Sequence, residues 1–397
     1  MRYALVIPDG AADRPIPELD DQTPLEAARM PALARLAREG EVLSAATVPE
    51  GFAPGSDVAC LSVLGYDPAT CYTGRAPLEA AAMGLTLADD QAVYRANTVT
   101  VEGDRMRDYS AGHIDTEQGR EVIEYLAEHL DIPGAKLYAG VGYRHLCVVD
   151  GASGRVGETT PPHDILDEQI GEHLPRGGVA PLLVRIMDRT QSLLADCPIN
   201  RERLAAGKPP VTQLWLWGGG VTPSLPSYAD RYGLRGGLIS AVDLLRGIAT
   251  LAGLEVVPVP GATGYFDTDY AGKGRAALDC LARSEFVAVH VEAPDEAGHI
   301  ADAQAKAQAL EQIDRHILTP LVEEARRAGD LRMLVMPDHP TPVCVRTHTA
   351  EPVPACLWGP GLTASGPALF SERAIKDLGP VAGHTLVGRL TSRTMEG

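Results

Sequence analysis

The chain has 397 residues, 45% of them hydrophobic, and no apolar run long enough to span a membrane, so one large domain or two is expected rather than a membrane protein. With 35 basic and 53 acidic side chains the formal net charge is −18, which argues against nucleic acid and anionic membranes as partners. Any phosphate-handling site must therefore concentrate arginine locally. The seven cysteines (Cys60, Cys71, Cys147, Cys197, Cys280, Cys344, Cys356) are odd in number and form no C-x-x-C pair, which fits free thiols in a reducing compartment. The sequence enters a strand almost at once, with no charged leader segment, so a cytoplasmic location is expected.

In chain order, Tyr3-Ala-Leu-Val-Ile-Pro-Asp9 reads as a buried strand stopped by proline. Thr23-Pro-Leu-Glu26 carries a capping box with proline at the first helical position, and one helix is expected to continue through Pro31 to Glu39, closed by Gly40. Pro54-Gly-Ser-Asp57 opens a helix or turn that runs into Ala59–Gly65, and Tyr72–Ala80 opens another. The texture then changes between about Thr86 and Pro210: a strand at Ala92–Val101, a helix from Thr116 to about Leu130, strand material over Leu137–Val149, a loop over Gly151–Pro162 and a helix near Pro181–Leu194. Strand–helix alternation resumes at Gln213-Leu-Trp-Leu-Trp217 and passes through Lys273–Ala282. It continues into two further strand-like runs, Phe286-Val-Ala-Val-His-Val-Glu-Ala-Pro-Asp295 and Leu331-Arg-Met-Leu-Val-Met-Pro-Asp338, with a helical stretch at Ala301–Arg327 between them. The rhythm predicts an α/β fold: a mostly parallel sheet with helices on both faces, formed by residues 1–85 and 211–397, plus an inserted α+β domain over 86–210.

Three apolar runs thus end in Pro-Asp, placing an acid at the carboxyl edge of the sheet, where ligands bind in open α/β folds. Asp295 and His299 stand at i, i+4 on one helix face, His339 follows Asp338 directly, and His348 lies in a loop expected to return to the same edge. Together with Asp9 these residues suggest a metal site; mixed imidazole and carboxylate donors suit manganese or zinc, with magnesium as an alternative. Ser56 is either a plain N-cap or a nucleophile at a helix N-terminus, activated by a metal ion. Arg75, Arg95, Arg144 and Lys273 are the candidate anion-binding cations, and His113 lies in a tight turn before a helix. Trp217-Gly-Gly-Gly220 matches no phosphate-loop fingerprint, so a nucleotide fold is not indicated.

Asp9-Gly10, Pro-Gly-Ser56-Asp, Asp295-Glu-Ala-Gly-His299, Asp338-His339-Pro-Thr-Pro and Thr-His348-Thr together resemble the alkaline phosphatase superfamily and, more narrowly, archaeal-type cofactor-independent phosphoglycerate mutases. The resemblance runs essentially the whole length. It implies an alkaline-phosphatase-like fold, no organic cofactor, and two divalent metal ions: manganese first, with zinc, magnesium or cobalt as alternatives. One metal would lie among Asp9, Ser56, Asp338 and His339, the other among Asp295, His299 and His348. Ser56 would carry the phosphoryl group as phosphoserine while glycerate, a small hydroxy acid, reorients. Cations of the insert would hold the substrate. The chain departs from the archaeal pattern at Tyr109-Ser-Ala-Gly-His113-Ile, where that group usually reads Arg-Arg-Ala-Gly-Arg-Ile. With Thr-Pro-Pro-His163-Asp164 this looks like a bacterial subgroup sometimes proposed to be homoserine kinases. His113 is then expected to act as acid/base on the glycerate hydroxyls or to read another small alcohol.

Overall fold

The computed structural model describes residues 1–392. Its strands are, in chain order, β1 (Arg2–Pro8), β2 (Glu41–Ala46), β3 (Ala92–Glu102), β4 (Arg105–Asp108), β5 (Ala135–Tyr138), β6 (Arg144–Val149), β7 (Gln213–Gly220), β8 (Gly236–Ile239), β9 (Glu255–Val256), β10 (Phe286–Val291), β11 (Leu331–Val335), β12 (Val353–Trp358) and β13 (Val381–Ala382). They form two sheets in two compact units, Met1–Tyr72 with Ser224–Gly397, and Thr73–Pro223.

The larger unit holds an eight-stranded sheet in the order β13-β2-β12-β11-β1-β10-β8-β9. Its pairings are parallel except where β12 meets β11 and β2. The central strands β1, β10 and β11 are buried on both faces, which is why they read as unbroken apolar runs rather than alternating ones. Helices Pro31–Glu39, Tyr270–Leu281 and Ala303–Ile313 contribute Leu36, Ala277 and Leu310 to the core around that sheet.

Register fixes the site. Val6 of β1 pairs with Val335 of β11, so Asp9 and Asp338, each three residues on, leave the sheet side by side. Ile7 pairs with His290 of β10, which puts that imidazole level with the end of β1. The third Pro-Asp differs from the expectation. β10 ends at Val291, and Pro294-Asp295 lies in the first turn of helix Ala293–His299, where proline is tolerated because its missing N–H has no intrahelical acceptor anyway.

Two other expectations are corrected. The helix expected through Pro31 is two helices, Pro24–Ala27 and Pro31–Glu39. Proline drives the preceding residue out of the helical region, and Met30 sits at φ −119°, ψ 73°. The second helix then takes its cap from elsewhere, the Asp314 carboxylate accepting from the Ala32 and Leu33 amides at 3.2 and 2.8 Å. The insert is also wider than 86–210. Helix Ala76–Ala82 packs on β3 and β7, and β7 pairs antiparallel with β3 from Val99–Gln213 to Val93–Gly220. Gln213–Trp217 therefore completes the insert's sheet rather than restarting the large one. That smaller sheet runs β4-β3-β6-β5 with β7 on β3, antiparallel throughout. Helices Thr116–His129 and Ala180–Leu194 cover it through Val122, Leu126, Leu183 and Met187.

Candidate active site

At the carboxyl edge of the large sheet, ligand atoms of Asp9, Asp338 and His339 lie within 4.8 Å of one another, and those of Asp295, His299 and His348 do the same. The two triads adjoin, with the His339 and His348 rings 4.1 Å apart between centroids. A glycine allows this closeness. Gly10 has φ +61°, and a Cβ there would lie 2.6 Å from Asp295 Oδ1 and 2.7 Å from its Cα, so only glycine lets the β1 exit pass against Asp295. The Gly10 amide donates to Asp338 Oδ1 at 3.1 Å.

Hydrogen bonds fix the orientation of two imidazoles. Thr341 Oγ1 spends its one proton on Asp295 Oδ1, so its contact with His339 Nδ1 at 3.2 Å must take a proton from the ring. The His339 Nε2 lone pair then faces Ser56 Oγ at 3.1 Å and Asp9 Oδ1 at 3.8 Å. The carbonyl of Arg346 accepts from His299 Nδ1 at 3.0 Å, which turns Nε2 toward Asp295 Oδ2 at 3.1 Å. Imidazoles held at one nitrogen so that the other faces a cluster of carboxylates are the usual support for metal ligation.

The electrostatics fit a pair of cations. Burial, and then Asp338, Asp295 and Glu292, push the Asp9 carboxyl well above its ordinary range. Burial also acts on Asp295, but the bonds from His299 and His348 outweigh it and hold that carboxyl well below. The same contact raises His299 to about 9. Asp9 Oδ1 is a buried polar atom with no hydrogen-bond partner, and His348 Nε2 faces Asp295 Oδ1 at 3.5 Å. Three aspartates on one sheet edge, two aimed imidazoles and an unused carboxylate oxygen are a donor set suited to divalent metal ions.

Ser56 is the first residue of helix Ser56–Val63, and Gly55 occupies the cap position, so the plain N-cap reading is excluded. Cys60 of the same helix donates its thiol to Asp338 Oδ2 at 3.3 Å, tying the helix to the metal edge.

Sequence reasoning missed two supports. His290 is fully buried, with Nε2 2.8 Å from Asp9 Oδ2 and Nδ1 3.1 Å from Ser240 Oγ. Burial holds it neutral, down to about 3. Its signal was a lone imidazole inside an apolar strand. Glu292 completes a third group with Asp9 and His290, next to Lys273. Lys273 was expected among the substrate cations. It is buried on helix Tyr270–Leu281, donates to the His290 carbonyl at 3.0 Å, and is lowered to about 8 by burial against the pull of Glu292.

The other cations gather in the insert. Glu79 accepts from Arg75 Nε at 3.0 Å and lies 3.2 Å from Arg95 Nε, with Arg144 close enough to act on the same carboxylate. Three guanidiniums against one carboxylate leave the cluster positive within a strongly acidic chain. Arg95 is 4% exposed and stacks at 4.6 Å over Trp217, whereas Arg144 is exposed and lies 5.3 Å over Tyr143. His113 adjoins this cluster: its ring is 6.2 Å from both Tyr143 and Tyr109, and His163 lies against Tyr109 and Trp217 at 5.9 and 5.3 Å. The turn that carries His113 is unusual. Ala111, Gly112 and His113 are all left-handed, at φ +48°, +69° and +49°. Asp108 accepts from the Ser110 and Gly112 amides, and Ser110 Oγ from the His113 amide, which fixes a backbone that would otherwise be strained.

The family model for 2,3-bisphosphoglycerate-independent phosphoglycerate mutase matches residues 37–200. Proteins of that name from Methanothrix thermoacetophila and Methanosarcina acetivorans are similar at 46% identity over 390 residues (98% of each chain) and 44% over 394 residues (98% of this chain, 99% of the other). A solved structure from Pyrococcus horikoshii is similar with TM-score 0.84 and 28% identity, covering 100% of this chain and 99% of its own. The cofactor-independent phosphoglycerate mutase of Thermoplasma acidophilum matches with TM-score 0.67 and 25% identity over 98% of each chain. Among the described residues no helix is long and apolar enough to cross a membrane.

Proposed function

Since the chain belongs to the 2,3-bisphosphoglycerate-independent phosphoglycerate mutase family, we propose that it is a metal-dependent isomerase that interconverts 3-phosphoglycerate and 2-phosphoglycerate through a phosphoserine at Ser56. The observation that carries this reading is the contact between Ser56 Oγ and the inward-facing Nε2 of His339, beside Asp9 and Asp338.

Asp9, Ser56, Asp338 and His339 would hold one metal ion, and Asp295, His299 and His348 the other. Manganese is the favoured ion because the set mixes three imidazoles with carboxylates. Divalent ions supply charge neutralisation of the phosphoryl oxygens and a lowered pKa for the serine hydroxyl. Ser56 Oγ forms a bond to phosphorus as the bond from phosphorus to the C3 oxygen breaks, and that oxygen takes up a proton. In the second half the C2 hydroxyl loses its proton and attacks phosphorus as the bond from phosphorus to Ser56 Oγ breaks, and that oxygen regains the proton it lost in the first half. The dipole of the Ser56–Val63 helix favours the phosphate on its first residue. Arg75, Arg95 and Arg144 hold the anionic groups of the substrate, and His113 moves the proton on the glycerate oxygens.

The test is turnover of 3-phosphoglycerate by manganese-loaded protein without added 2,3-bisphosphoglycerate, with trapping of phosphoserine at Ser56. Isomerisation is expected. Phosphate release faster than isomerisation, or transfer to another small alcohol such as homoserine, would reassign the protein to a phosphatase or phosphotransferase built on the same metal edge.

A further inference from the structure

Lys306 sits on helix Ala303–Ile313 with no exposed surface. Its ammonium is 2.7 Å from Asp13 Oδ2, 2.8 Å from the Thr341 carbonyl and 3.3 Å from the Ala12 carbonyl. Asp13 and Ala12 belong to the loop that leaves β1 after Asp9. Thr341 belongs to the loop that leaves β11 after Asp338 and His339. We propose that the Lys306–Asp13 pair is a positioning clamp that holds these two ligand-bearing loops in metal-binding register.

First, a fully buried ion pair is a poor device for stability, because desolvation of both charges offsets most of their attraction and apolar replacements are often as stable. Second, the pair does something that two apolar side chains cannot. The loops meet through the Gly10 amide's bond to Asp338, the bridges of Ala11 and Ala12 with Pro340 and the Thr341 amide's bond to the Ala12 carbonyl at 3.2 Å. Lys306 joins the two sides through its three bonds, two to the β1 loop and one to the β11 loop, and Asp13 Oδ2 accepts a further one from the Val343 amide at 3.2 Å. Third, the junction connects to both triads, since Thr341 Oγ1 bonds Asp295 and His339 together. The surroundings are packed as tightly: a Cβ on Gly298 would lie 2.3 Å from the Thr341 carbonyl.

The proposal rests on the metal reading of the site and not on which phosphoester is turned over. The test therefore reads manganese binding to the metal-stripped full-length protein by isothermal titration calorimetry, with the parent as control. Parental failure to bind manganese would sink the reading of the site itself. K306M/D13N removes one charge of each sign, so the net charge is unchanged. Its manganese affinity is expected to fall about ten- to a hundred-fold, as for other residues that orient ligands, most at the Asp9–Asp338–His339 site. K306Q/D13N restores an amide donor without charge and is expected to recover part of that loss. A folded variant of either kind that binds manganese as the parent does overturns the proposal. Loss of the circular dichroism of the folded chain in both would assign the pair to the stability of the fold and overturn it equally.

Discussion

The carboxyl edge of the large sheet and the arginine face of the insert carry opposite charges and are built by opposite means. The edge takes its groups from strand exits and a helix first turn, fixed by parallel register, with Asp9, Asp338 and His339 almost wholly buried. The insert presents a cationic, partly exposed cluster on one helix, two antiparallel strands and a turn held in left-handed conformation. Chemistry that depends on placing metal donors to a fraction of an ångström belongs on the rigid edge. Recognition of a small anion, the role proposed for the insert, tolerates longer, half-exposed side chains.

The comparison breaks first at Ser56. Ser56→Ala should lower kcat by about ten-thousand-fold or more, as removal of a nucleophile does elsewhere. Manganese content measured after gel filtration should stay near that of the parent, because Asp9, Asp338 and His339 remain. Arg144→Ala should show the reverse signature: KM for 3-phosphoglycerate up by roughly ten- to a hundred-fold, the equivalent of one charge-assisted bond, with metal content unchanged. Arg144 is the arginine to test because it is exposed, whereas Arg95 is also part of the core through Glu79 and Trp217. A fall in metal content in Arg144→Ala would erase the division of labour.

The same division explains what could be read from the sequence. The edge was legible because most of its candidate ligands sit beside a marker with a fixed physical meaning: a proline after an apolar run, an i, i+4 pair, a serine after Pro-Gly. His290 was not, since an imidazole within a buried strand has the same spacing whether it packs or bonds Asp9. Lys273 was expected among the substrate cations because a cation after Tyr-Ala-Gly looks alike on a surface or beneath a site; the α/β packing puts its ammonium on the His290 carbonyl. The insert's edges were missed for a similar reason. The Trp-rich apolar run of β7 fits either sheet, and antiparallel pairing with β3, more than a hundred residues earlier, decided it.

The two units should also respond to pH with opposite sign. In the insert, burial and then Arg95 lower His145 to about 3, and its Nδ1 accepts from the Gly140 amide at 3.1 Å. The folded value lies below the unfolded one of about 6.5, so the unfolded state binds the proton first. Its stability contribution is whole above about 6.5 and is lost as pH falls from there toward 3. In the metal-free larger unit His299 is raised to about 9 by Asp295, so its contribution is whole below about 6.5 and is lost as pH rises through 9. Urea unfolding of metal-free protein, followed by tryptophan fluorescence, should show His145→Gln flattening the acid limb and His299→Gln the alkaline one. An unchanged acid limb in His145→Gln would remove the buried imidazole as its cause.

The smallest effects compare two helix caps. Asp115 caps Thr116–His129 in the insert through the Gln118 amide at 2.9 Å, from an exposed position near Lys208. Thr23 caps Pro24–Ala27 in the larger unit, is fully buried, and donates its hydroxyl to Glu372 at 2.7 Å, while Glu26 reaches back to the Thr23 amide. Asp115→Ala should cost about 1 kcal/mol, the ordinary value of a lost cap. Thr23→Ala should cost about 2–3 kcal/mol, because it also strips a donor from a carboxyl that burial already raises to about 7. The excess should shrink as Glu372 is protonated, so the two substitutions should converge in cost between pH 8 and about pH 5. A pH-independent gap would mean that the lost Thr23–Glu372 bond is not its source.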